Sequence, residues 1–103
     1  AYVEAARAMA QRVLKEGGVD DGARVSRAFR LATSREPKPK EQALLKKRVE
    51  QLRANYKMDT KAAKALLTVG EFKRDETLDA TDHAVYTVLC NLILNLDEVI
   101  TRE

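Results

Sequence analysis

From Ala84 to Leu96 the chain carries no charge, and Val85, Val88, Leu89, Leu92, Leu96 and Val99 recur at the spacing of one helix face. Tyr86, Ile93, Leu94 and Ile100 fill much of the remaining circumference. A helix that is apolar nearly all round is one surrounded by partners. A membrane span is the rival reading. The run is shorter than the roughly 20 apolar residues a bilayer requires, and Asn91 and Asn95 interrupt it. The pattern predicts an all-α fold, a compact five-helix bundle around a buried C-terminal helix, with Leu89 and Leu92 in its core.

The chain of 103 residues has room for a single domain, 1–103. With 45% hydrophobic and 34% charged residues it is too apolar for disorder. Four Gly and two Pro are too few for the many turns of a sandwich or barrel. The sequence opens on Ala1-Tyr2-Val3-Glu4, without Met and already in helical pattern, and reads as the C-terminal fragment of a larger protein.

Four further helices precede the apolar one. The first, about Tyr2 to Glu16, sets Val3, Ala6, Ala10, Val13 and Leu14 on one face and stops at Gly17-Gly18. The second begins at an Asp20 or Asp21 cap and runs to about Ala32, with Val25, Ala28, Phe29 and Ala32 inward. The third, about Pro39 to Lys57, starts where Pro is tolerated and buries Leu45, Val49, Leu52 and Tyr56. Its other face, with Lys46, Lys47, Glu50, Arg53 and Lys57, is expected to be solvated. Asp59 or Thr60 caps a short Ala-rich helix that Gly70 ends, and the fifth helix follows Asp79 or Thr81.

Charge divides the chain. Residues 1–58 hold fourteen Lys/Arg against seven Asp/Glu, and residues 59–103 hold five against nine. Basic and acidic elements are therefore expected to face one another. Arg24, Arg27 and Arg30 form a stripe at i, i+3, i+6, which a nucleic-acid recognition helix would also show. No Asn or Gln base reader sits among them, so an ion-paired face toward the acidic half is the favoured reading and no nucleic acid is expected.

Chemistry finds little support. His83 and Cys90 are the only strong soft-metal ligands, and seven residues of helix hold them roughly 10 Å apart, whereas metal–ligand bonds are about 2 Å. Cys90 is expected in the core and His83, in a first helical turn, at the surface. Ser26 and Ser34 lack a nucleophile-elbow context, and adjacent Asp97 and Glu98 point about 100° apart. No catalytic, metal or cofactor residue is assigned.

The polar residues near the end of the apolar helix are candidate anchors. A buried amide without partners costs roughly 1–3 kcal/mol, so Asn95 is expected to bond a loop backbone. Asp97 lies against the negative pole of its helix and needs a cation. Arg27 or Arg30 is the expected partner, while Glu98 is spaced to pair with Arg102.

Three stretches carry a resemblance: Tyr2-Val3-Glu4-Ala5-Ala6-Arg7-Ala8, the segment from Arg27 through Phe29-Arg30-Leu31-Ala32-Thr33-Ser34-Arg35-Glu36 to Pro37, and Leu94-Asn95-Leu96-Asp97-Glu98. In order and spacing they resemble the C-terminal part of the planctomycete-specific domain of unknown function that accompanies planctomycete cytochrome c domains. Two positions depart from that family, which usually has Gly where Ser34 stands and Ser or Thr where Lys38 stands. The resemblance implies a large exported or periplasmic protein with a haem domain upstream, and it brings no catalytic residues.

The leading expectation is a non-catalytic helical module that packs on other domains of its own chain. The alternatives are a nucleic-acid-binding domain using Arg24, Arg27, Arg30 and Lys46-Lys47-Arg48, or the accessory part of a haem-linked redox enzyme.

Overall fold

A computed structural model describes residues 3–68 and 73–101, the side chains of 97–101 excepted. The described residues form α1 (Val3–Glu16), α2 (Asp21–Thr33), α3 (Pro39–Met58), α4 (Thr60–Leu66) and α5 (Ala80–Thr101), with no strand among them. The all-α expectation holds, and the last helix touches each of the other four.

Local chemistry sets the helix ends. The Gly17 N–H donates to the Val13 carbonyl at 2.7 Å, and a β-carbon at Gly17 would stand 2.6 Å from that oxygen. Gly18 follows with φ of +87°, so the chain turns out of α1 where glycine alone turns freely. Asp20 caps α2 by accepting from the Ala23 N–H at 2.8 Å. At the other end Ser34 takes the left-handed conformation, φ 64° and ψ 17°, and donates to the Arg30 carbonyl at 2.8 Å.

Pro39 opens α3, and the Glu41 carboxylate accepts the Lys38 N–H at 2.8 Å. Asp59 both ends α3 and caps α4, accepting the Ala62 N–H at 3.1 Å. Of the two candidate caps for α5 it is Asp79 that serves, accepting from the Asp82 N–H at 2.9 Å. Gly70 lies outside the described residues.

The core follows from α5. Val85, Tyr86, Leu89, Cys90 and Ile93 are buried on it. They meet Ala6, Ala10 and Val13 of α1, where small side chains bring the two helices close. Val25, Ala28 and Phe29 of α2 and Leu45, Val49 and Leu52 of α3 complete the cluster. A smaller cluster joins Ala63 and Leu67 to Ala84. Among the described residues no helix is long and apolar enough to cross a membrane.

Three expectations are corrected. Leu92 and Leu96 do not lie in the core; they are 38% and 49% exposed. The apolar arc of α5 is wider than its neighbours cover, and the seam between α3 and α5 stays open there. His83 is fully buried, because the first turn of α5 already packs on α1 and the imidazole meets the Arg7 backbone. Arg53 is not a solvated side chain; it turns toward the first turns of α2 and α5.

Candidate functional site

Two sites stand out along the α3–α5 seam. The first, at the start of α5, is charged. Arg53 projects from the C-terminal half of α3 and grips Asp21 with both terminal nitrogens, at 2.8 and 2.9 Å. Its Nε donates to Asp82 at 3.3 Å. The buried Tyr86 hydroxyl donates to the same Asp21 at 2.6 Å. Asp21 is the first residue of α2 and Asp82 lies in the first turn of α5, so two positive helix ends each carry a carboxylate onto one guanidinium.

The Arg53 fork, with help from Tyr86, holds the Asp21 carboxyl down to about 2. The same contact raises Arg53 above its ordinary value. Burial, followed by the bond to Asp21, raises Tyr86. A cleft of about 680 Å³ opens beside this group. Its carboxylates are already engaged: Asp20 and Asp79 cap helices, and Asp21 and Asp82 hold Arg53. The arrangement clamps three helices together. Arg24 adds to it, its guanidinium 5.8 Å from the Tyr86 ring centre and its Nε donating to the Gly18 carbonyl at 3.1 Å.

The second site, at the other end of the seam, is apolar. A groove of about 310 Å³ has Phe29 and Leu45 at its base. Leu44, 69% exposed, stands on the α3 side, and Leu92 and Leu96 stand on the α5 side. Glu41 and Arg48, one helical turn to either side of Leu44 and Leu45, also line it. Glu41 is held by a bidentate pair with Arg35 at 2.9 and 3.0 Å. That pair, with the Lys38 N–H, brings its carboxyl down to about 2. Arg35 in turn lies 4.7 Å over the Phe29 ring. Exposed leucines side by side on a groove differ from scattered surface apolar residues, because a contiguous patch marks a contact surface.

Arg27 donates to Glu16 of α1 at 2.6 Å, and Arg30 pairs with Glu36 of the α2–α3 loop at 3.1 Å. Arg27 and Arg30 therefore pair with carboxylates of the basic half of the chain, and Arg24 lies over the Tyr86 ring; the expected pairing with Asp97 lies outside the described residues. The link between the halves is carried instead by Arg53 to Asp82 and by Lys15 to Asp75, the latter at 2.6 Å. Asn95 is half-buried, with no hydrogen bond to a loop backbone among the described residues. The side chains of Asp97 and Glu98 lie outside the described residues, as does Arg102.

His83 was not expected inside. Its Nε2–H donates to the Arg7 carbonyl at 3.0 Å, and Nδ1 has no partner among the described residues. Burial lowers its pKa, so the ring is neutral near pH 7. Cys90 is enclosed in the core, and burial raises its thiol well above the usual range. Among the described residues no three His, Cys, Asp or Glu side chains gather as a metal site.

Comparison with protein-family models, with curated proteins and with solved structures gave no match.

Proposed function

We propose that this chain is a helical interaction module, non-catalytic in itself, that docks an apolar partner along the groove between α3 and α5. The observation that carries the reading is the cluster of Leu44, Leu92 and Leu96, left exposed while Val85, Leu89 and Ile93 of α5 are closed by neighbours. Burying three leucines against a partner is favourable by roughly 25 cal/mol per Å² of apolar surface. Solvating them gains nothing for the fold.

The placement with the planctomycete domain of unknown function rests on the three resembling stretches of sequence alone. On that placement the natural occupant of the groove is another part of a large exported protein. The nucleic-acid alternative is weakened by the engagement of Arg27 and Arg30 with Glu16 and Glu36.

The test is binding of a synthetic amphipathic helix with leucines along one face and glutamines flanking them, followed by fluorescence anisotropy. The parent chain should bind it. A Leu44→Asp, Leu92→Asp double variant, folded by circular dichroism, should not. Equal binding by both proteins would place the contact elsewhere and reject the groove.

A further inference from the structure

The groove has a charged rim that narrows its choice of partner. Lys40, Lys47 and Arg48 are exposed on α3 at the positions that neighbour Leu44 along one helix face. Among the described residues none of the three has a carboxylate within ion-pair distance. The one acidic group in the groove wall, Glu41, is already neutralised by Arg35. The described side chains of the opposite wall, Leu92 and Leu96, carry no charge. Arg48 lines the trough itself, while Lys40 and Lys47 stand beyond Leu44 on the outer side of α3, Lys47 sharing its far side with Glu50, so the α3 border of the apolar trough is positive.

From this arrangement, and resting on the docking reading above, we infer that the occupant is an amphipathic helix whose apolar stripe is flanked by aspartate or glutamate. The groove runs between two helices, so a third helix fits as a ridge into it, with apolar anchors at i, i+3, i+4 and i+7. Carboxylates beside those anchors meet Lys40, Lys47 and Arg48, which sets the direction and side of approach. A second copy of this chain is a poorer occupant. It would bring the same cations to the interface, and the described walls offer no free carboxylate to receive them.

The experiment compares three synthetic helices with one leucine face and with flanks of glutamate, glutamine or lysine, titrated into the intact chain. The glutamate form should bind roughly tenfold more tightly than the glutamine form, with the lysine form weakest. The spread should shrink at high salt, as exposed charges are screened. Lys47→Glu with Arg48→Glu, both surface changes, should invert the order of the glutamate and lysine forms. Equal binding of all three overturns the acidic partner but leaves the docking reading standing. Binding by none overturns the docking reading itself. Two further results overturn the inference: a concentration-dependent dimer abolished by Leu44→Asp, which makes a second copy the occupant, and tight oligonucleotide binding indifferent to Leu44→Asp, which assigns the cations to a phosphate backbone.

Discussion

Arg53, in the C-terminal half of α3, forks onto Asp21, the first residue of α2, with both bonds under 3 Å, 2.8 and 2.9 Å. One carboxylate thereby joins three helices, because Tyr86 of α5 donates to it as well. Asp21→Asn should cost about 1–3 kcal/mol, the range for removing one partner of a partly buried charged network. Tyr86→Phe should cost about 1 kcal/mol alone and less in the Asp21→Asn background, since a neutral amide oxygen accepts the Tyr86 hydroxyl more weakly than the carboxylate does. Urea denaturation of the four proteins of that cycle measures the coupling. Additive costs would mean that Tyr86 and Asp21 stabilise the fold independently.

Acid should act in two steps. His83 has a folded pKa below its unfolded value near 6.5, so below about pH 6.5 the unfolded chain takes up a proton that the folded chain refuses. Its contribution is complete above the unfolded value and declines as pH falls toward the folded one. Asp21, near 2 when folded against roughly 3.9 unfolded, contributes fully above about pH 4 and is lost as pH falls through 2. His83→Gln retains a donor for the Arg7 carbonyl but does not titrate. Its stability should stay flat between pH 7 and 5 while the parent declines. Parallel curves for the two proteins would show that His83 is not the group responsible.

Backbone conformation gives opposite predictions at two helix ends. Ser34→Gly removes the strain of a left-handed serine and should stabilise by about 0.5–1 kcal/mol. Gly17→Ala places a methyl 2.6 Å from the Val13 oxygen and should destabilise, because backbone has to move. Melting temperatures of the two variants should therefore shift in opposite directions.

The two faces of α5 should differ in what they contribute to folding. Leu89 is fully buried, and its truncation to alanine should cost about 2–5 kcal/mol. Leu92, 38% exposed, should cost under about 1.5 kcal/mol on the same change, since water already reaches it. Equal costs would mean that the groove is closed in solution.

The sequence made the helices legible because periodicity and caps are local. Asp20, Pro39, Asp59 and Asp79 stand where the helix starts were expected. The central position of α5 followed from an apolar arc too wide for a surface helix. Periodicity does not say how far neighbours cover that arc, so Leu92 and Leu96 were placed inside. Nor does it say which charges meet. Arg53 sits among lysines on a polar face, and its partners lie 32 and 29 residues away in sequence. The burial of His83 is illegible for the same reason, since its hydrogen-bond partner is a carbonyl on α1, 76 residues distant.

The most direct measurement is a methyl NMR spectrum of the leucine-, isoleucine- and valine-labelled chain, titrated with the glutamate-flanked leucine helix. Docking in the α3–α5 groove predicts that the Leu44, Leu92 and Leu96 methyls shift with one saturable curve. Leu89, Val49 and Val85, closed in the core, should hold their positions. If the three groove leucines stay fixed at peptide excess, or if the shifts gather on another face of the bundle, the groove is not the docking surface.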